Sequence, residues 1–202
     1  MKFKNLSTES KVRSAVRSNL RYWFNQASLK EFEDGLNWYE RANQECESMS
    51  ELAPMLQVAG TVSALSPNNK WSRNLFDART VLEAVADGLP ADSVKVCTYN
   101  ANKLKAFEIA RGNQQILKQS PKTYAFAKNV GELDENFVTV DVWHLRACQT
   151  RSHSRKQVAE TVTALQYKII ADETKKVAKE FNLKGYEFQA IVWVTIRNRW
   201  TT

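Results

Sequence analysis

Near the N-terminus, apolar residues recur three and four positions apart within a polar stretch. Leu29, Phe32, Leu36 and Tyr39 fall on one helical face, with Tyr22, Trp23, Phe24 and Trp38 close by. The spacing predicts an N-terminal helix that packs its aromatic side into a core. LAPMLQVAGTVSALS (52–66) reads as an apolar helix, with Pro54 near its first turn, where a missing N–H costs nothing. SPNN (66–69) breaks it, and KWSRNLFDARTVLEAVADG (70–88) predicts a second helix stopped by Gly88. Asn100 is a candidate cap for ANKLKAFEIAR and Gly112 a candidate end. Ser120-Pro121 reads as N-cap and first helical residue of PKTYAFAKNV. Phe137 to Val140 is a short β-favouring run that leads into Asp141. Lys156 to Phe181 predicts a long helix. After Gly185, YEFQAIVWVTIRNRW predicts a last amphipathic helix with Phe188, Ile191, Val192 and Thr195 on one face. The expected fold is all-α, about eight helices with little or no sheet.

Composition narrows the class. In 202 residues there are only 6 Gly and 4 Pro, which suits helices joined by short turns, and 43% hydrophobic content suffices for a substantial core. Lys and Arg number 29 against 22 Asp and Glu, a net charge of +7 that suits a polyanionic partner and equally a soluble surface. Cys46, Cys97 and Cys148 are odd in number and far apart, so neither a disulfide framework nor a metal site is expected, and they read as buried small hydrophobes. Only His144 and His153 are present, which argues further against a metal. MKFKNLSTES lacks a signal-peptide apolar run, and no segment approaches the roughly 20 apolar residues that span a bilayer. The expectation is a cytoplasmic protein with no membrane partner and no cofactor.

The stretch ILKQSPKTYAFAKNVGELDENFVTVDVWHLRA (116–147) carries the chemistry. Lys122-Thr123 opens one predicted helix, and Val140-Asp141-Val142-Trp143-His144 opens the next, with 141 − 122 = 19 positions between Lys122 and Asp141. In this order and spacing the chain resembles the helix-hairpin-helix superfamily of DNA glycosylases and glycosylase/lyases. There, a hairpin ends in a Lys-Thr-Ala-like helix start, and a Val-Asp segment follows. ALSPNNKWSRNLFDA resembles the family's Leu-Ser-x-Gln segment. SPNNKW, the Val-Asp segment and the QAIVW helix also resemble those of phage and bacterial proteins. The family hairpin usually reads Leu-Pro-Gly-Val-Gly. Here Lys118 and Ser120 take the glycine places, so side chains rather than backbone N–H groups would hold a phosphate.

The resemblance implies a two-lobed helical body with a groove between the lobes. Residues 52–150 would form the hairpin-containing lobe, and 1–51 with 151–202 the other. It implies double-stranded DNA with damaged or modified bases as substrate, and excision of a base flipped from the duplex. Asp141 would stabilise the sugar cation and Lys122 would attack the anomeric carbon in a lyase. Asn68 would fill the gap left by the extruded base. Trp71, Tyr124 and Trp143 are candidate stacking walls for that base. Asn69, Lys118, Ser120, His144, Arg146, Arg151, Arg155 and Lys156 are candidate DNA contacts, with His153 in the same basic run. Each has a plainer role: Asp141 as a helix N-cap, Lys122 as an exposed phosphate-binding cation, Asn68 and Asn69 as turn residues, and the basic run as a solvated loop. Two other functions stay open: a DNA-binding protein on this fold without catalysis, and a base-modifying transferase on the same fold.

Overall fold

The structure, a computed structural model, describes residues 8–152 and 158–200. Among them it is all-helical: α1 (Glu9–Asn25), α2 (Leu29–Leu36), α3 (Trp38–Glu47), α4 (Met55–Leu65), α5 (Trp71–Ala86), a 3₁₀ turn (Ala91–Ser93), α6 (Asn100–Ala110), α7 (Gln114–Lys118), α8 (Pro121–Glu132), α9 (Val142–Gln149), α10 (Ala164–Glu180) and α11 (Gly185–Arg199). No described helix is long and apolar enough to cross a membrane. The chain divides into two compact units, Met1–Tyr39 with Glu135–Thr202, and Glu40–Asp134. Asp141 therefore belongs to the first unit and Lys122 to the second.

Local signals set most boundaries. Pro54 precedes α4, Ser120 and Pro121 open α8, and α5 and α6 run out into Gly88 (φ +70°) and Gly112 (φ +94°), left-handed positions that favour glycine. Two expectations are corrected. The N-terminal helical face is cut at Asn37, so Leu29, Phe32 and Leu36 lie on α2 and Tyr39 on α3, and Leu29 is exposed. The long C-terminal helix begins at Ala164 rather than Lys156, because Thr163 caps it and the Gln166 side chain reaches back to the Thr163 N–H.

In the first unit, α1 packs on α9, α10 and α11, and α2 lies along α11. Val16, Leu20 and Trp23, spaced by four and three, turn α1 into a core that includes Leu145, Ile170, Val177, Phe188, Val192 and Ile196. Phe188, Ile191, Val192 and Thr195 are all fully buried, as the periodicity predicts. Arg21 grips Glu180 through two 2.7 Å hydrogen bonds, and Trp23 and Asn19 of α1 donate to the Thr150 and Cys148 carbonyls at the end of α9. Gly35 is where α2 meets α11. A Cβ there would stand 2.4 Å from Ile191 Cα and 2.6 Å from its N, so the two backbones must separate. Gly35→Ala is expected to cost about 1–3 kcal/mol by overpacking. The urea midpoint measures it, and an unchanged midpoint would show that α2 is not seated on α11.

In the second unit, α4 is the axis. Val58 through Leu65 are all buried, as befits a helix apolar on every side, and α5, α6, α7 and α8 pack around it. Cys46, like Cys148 in the first unit, is a buried thiol, but Cys97 is exposed, which corrects the expectation of three buried cysteines.

Candidate active site

Asp141 ends an extended run. Val138 and Val140 are buried in the first unit's core, yet no strand pairs with Phe137–Val140 among the described residues. The Tyr167 hydroxyl of α10 takes the place of a neighbouring strand: it donates to the Val138 carbonyl at 3.0 Å and accepts the Val140 N–H at 3.2 Å. The chain then turns into α9. Asp141 keeps extended backbone geometry (φ −89°, ψ −178°), and its Oδ1 accepts the His144 N–H at 2.8 Å, so it is the N-cap of α9. Its Oδ2 accepts the Trp193 indole N–H at 3.0 Å. The side chain is half-buried, and both oxygens are oriented.

Two phenols feel the charge of this carboxylate. Burial pushes the Tyr39 phenol well above its ordinary range against a hydrogen bond with Thr139, and the charge of Asp141 adds to the rise. The Tyr39 hydroxyl donates to Gln189 at 2.8 Å. Burial likewise pushes Tyr167 up to about 12, against its bond from the Val140 backbone and with Asp141 contributing. Trp193, which holds Oδ2, meets Trp38 edge-on at 5.7 Å, and the Arg197 guanidinium lies 5.0 Å over its ring. The result is an oriented carboxylate beside indole rings. Such a group can stabilise a cation or take a proton.

In the second unit, Gln119 and Ser120 alone join α7 to α8, a tight helical hairpin. Lys122 is half-buried in the first turn of α8, and among the described residues nothing bonds its amine. Lys118 is exposed, and the Ser120 hydroxyl accepts from Thr123 Oγ1 at 3.0 Å. Tyr124 is half-buried. Trp71 donates to Glu45 Oε2 at 2.5 Å and meets Phe126 edge-on at 6.5 Å. Asn68 is exposed with φ +59° and bonds the Tyr99 hydroxyl at 3.1 Å, whereas Asn69 is tied to Asp77 at 2.9 Å.

Over residues 2–200 the chain matches a family of unknown function, DUF7178. It belongs to that family. No curated protein and no solved structure matches it.

Other candidates in this DUF7178 chain have structural roles in place of the expected ones. His144 is fully buried and offers nothing to a DNA surface. Its Nε2 lies 2.9 Å from Thr174 Oγ1, whose own proton goes to the Ile170 carbonyl at 2.8 Å. His144 Nε2 must therefore donate, leaving an Nδ1 that has no partner among the described residues. Arg146, also expected on DNA, is 4% exposed: it packs 4.5 Å from the Trp143 ring and 5.1 Å from the Trp200 ring and bonds Glu160 at 2.8 Å. Trp143 thus stacks on an arginine of its own helix rather than standing open for a base. Arg151 remains exposed but bonds Ser18 Oγ at 2.5 Å and covers Tyr22. His153, Arg155 and Lys156 lie outside the described residues. Trp193, Tyr39 and Tyr167 complete the Asp141 site, and no local motif marks them, because each comes from a separate helix.

Burial lowers the His144 pKa to about 3 from its ordinary 6.5. The unfolded chain binds a proton between those values and the folded chain does not. The stability that His144 contributes is therefore full above about pH 6.5 and is lost as pH falls toward 3. In NMR spectra its ring resonances are expected to stay those of the neutral Nε2–H tautomer from about pH 8 to 5; a midpoint near 6.5 would mean an exposed ring.

Proposed function

We propose that the protein is a DNA glycosylase of the helix-hairpin-helix kind, excising a flipped damaged or modified base from duplex DNA. The observation that carries this reading is Asp141: a half-buried carboxylate at a helix N-terminus, with Oδ1 and Oδ2 fixed by the His144 N–H and the Trp193 indole. Cleaving an N-glycosidic bond develops positive charge on the sugar, and a carboxylate already oriented by donors opposes that charge without first reorganising. Further support comes from the two-residue turn between α7 and α8, a Lys122 amine that nothing bonds among the described residues, and the net charge of +7. Lys122 is the nucleophile if the reaction continues into strand cleavage through a Schiff base.

One observation favours a second reading. Oδ2 already holds the Trp193 N–H, which draws on the negative charge a sugar cation needs. A DNA-binding protein that keeps the carboxylate as a cap alone would look the same at this atom. Incubation with duplexes carrying a panel of modified bases, followed by mass spectrometry of the released bases, separates the two. Base release supports excision; duplex binding without release, and without a borohydride-trapped adduct, supports the binding protein.

A further inference from the structure

The starts of α5 and α6, in the second unit, are built together around a carboxylate that does not reach solvent. Asp77 is fully buried on α5. Its Oδ1 accepts Arg73 Nε at 2.8 Å, and its Oδ2 accepts Asn69 Nδ2 at 2.9 Å and the Cys97 backbone N–H at 2.8 Å. Those bonds join three pieces of chain: the 67–70 turn, the first turns of α5 and the segment that leads into α6. Thr98 Oγ1 adds a bond to the Pro67 carbonyl at 3.1 Å, and Asn102 supports Thr98 at 3.0 Å.

On this frame two aromatic rings stand in water. Tyr99 is 65% exposed and Phe76 60%. Neither ring is loose. The Tyr99 hydroxyl accepts from Asn68, a left-handed residue at φ +59°, and the Arg73 guanidinium, fixed at Nε by Asp77, lies 5.0 Å over the Phe76 ring. A ring held outward in one orientation loses little freedom on binding. Within the two stretches of chain that carry the rings, basic residues predominate, although Glu45 meets Trp71 from outside them. Across 67–77 and 94–105 the cations are Lys70, Arg73, Lys95, Lys103 and Lys105, and the single acid is Asp77, already enclosed by donors. Lys70, Arg73 and Lys95 are exposed.

We propose that this face binds single-stranded DNA, with Lys70 and Lys95 on phosphates and Tyr99 and the Arg73–Phe76 pair stacking on bases. Cations interleaved with exposed planar groups match an unpaired strand, whose bases present open π faces, whereas the faces of a continuous duplex are closed by neighbouring pairs. A protein partner would have to bring acidic groups to pair the cations, whereas a nucleic-acid strand carries a phosphate beside every base. The face requires neither Asp141 nor the excision reading and stands independently of both.

The test is fluorescence anisotropy of the full chain with a labelled oligothymidine of about 12 nucleotides, a blunt duplex of equal length and the matching oligouridine. Oligothymidine is expected to bind tightest, with affinity falling as salt rises by a log–log slope of about 0.7 per phosphate engaged. Tyr99→Ala and Phe76→Ala should each weaken it roughly tenfold, the scale of one lost base–aromatic contact. Tyr99→Phe, which keeps the ring and drops only the Asn68 bond, should recover most of the loss. Circular dichroism checks that each variant is folded. The proposal is overturned if oligothymidine does not bind, if the duplex or oligouridine binds more tightly, or if folded Tyr99→Ala and Phe76→Ala bind as the parent does. Base release from a modified-base duplex, measured alongside, reads the excision proposal apart from oligothymidine binding, so failure of this face and failure of base excision give separate results.

Discussion

On the excision reading proposed above, Asp141→Asn is expected to lower base release about a hundredfold or more while leaving duplex binding near that of the parent. The substitution keeps size and shape. Its single amide oxygen can still accept the His144 N–H, so α9 keeps its cap. The negative charge is lost, and with it the attraction for a sugar that becomes cationic in the transition state. The amide nitrogen then faces the Trp193 indole N–H, donor against donor, where Oδ2 accepted at 3.0 Å. That conflict predicts a stability loss of about 1 kcal/mol, the net worth of a typical hydrogen bond. Single-turnover release by mass spectrometry and a parallel urea melt read the two effects separately. A folded Asn variant with undiminished release would end the excision reading.

How much was legible depended on how local each signal was. Pro54, Gly88, Gly112 and the Ser120-Pro121 pair act on the residues beside them, and each helix boundary they predict is present in the structure. Asp141 as the cap of α9 was legible for the same reason: a short acceptor precedes a helical run. The overlong C-terminal helix was a misreading of a signal that was there. Thr163 and Gln166 stand three apart, a capping-box spacing, but favourable helix residues on both sides masked it. The break at Asn37 comes two residues after Gly35, a glycine whose other role, the close approach of α2 to Ile191 of α11, is not visible in the sequence. His144 and Arg146 illustrate the opposite limit. Nothing in VWHLRACQ separates a basic residue that faces DNA from one that faces Thr174 or a pair of indoles, because the partners come from other helices. The same holds for Trp193, whose bond to Asp141 spans 52 residues of sequence.

Of the stability changes, the largest is expected at Glu173. This carboxylate is fully buried on α10, yet it serves three cations: Arg13 at 2.7 Å, Arg17 at shorter range and Lys176 at 2.9 Å. Arg13 and Arg17 lie on one face of α1, so Glu173 pins α1 to α10. Glu173→Ala removes the charge that these groups share among the described residues and leaves Arg17, and Arg13 with Glu9 as its remaining acid, facing a cavity. Breaking a buried pair from one side costs about 3–5 kcal/mol. The low end is expected here, because both arginines retain some access to water. Glu173→Gln keeps the volume and an acceptor and should recover part of the loss; equal losses for the two variants would show that packing rather than charge is responsible. The pH dependence gives an independent reading. Burial raises the Glu173 pKa, but the hydrogen bonds from Lys176, Arg17 and Arg13 outweigh it, and the net shift is downward. A carboxylate with a lowered folded pKa contributes stability that is full above its unfolded range and is lost as pH falls through the folded value. Glu31 follows the same rule more strongly. Burial opposes the shift, but hydrogen bonds from Arg199, Ser28 and Asn198 bring it down to about 2. The carboxylate contribution to the parent's urea midpoint should therefore hold above about pH 5 and fall as pH drops from there toward about 3, and the Glu173→Ala midpoint should fall less steeply over that window, because one of the groups that links acid to unfolding is gone.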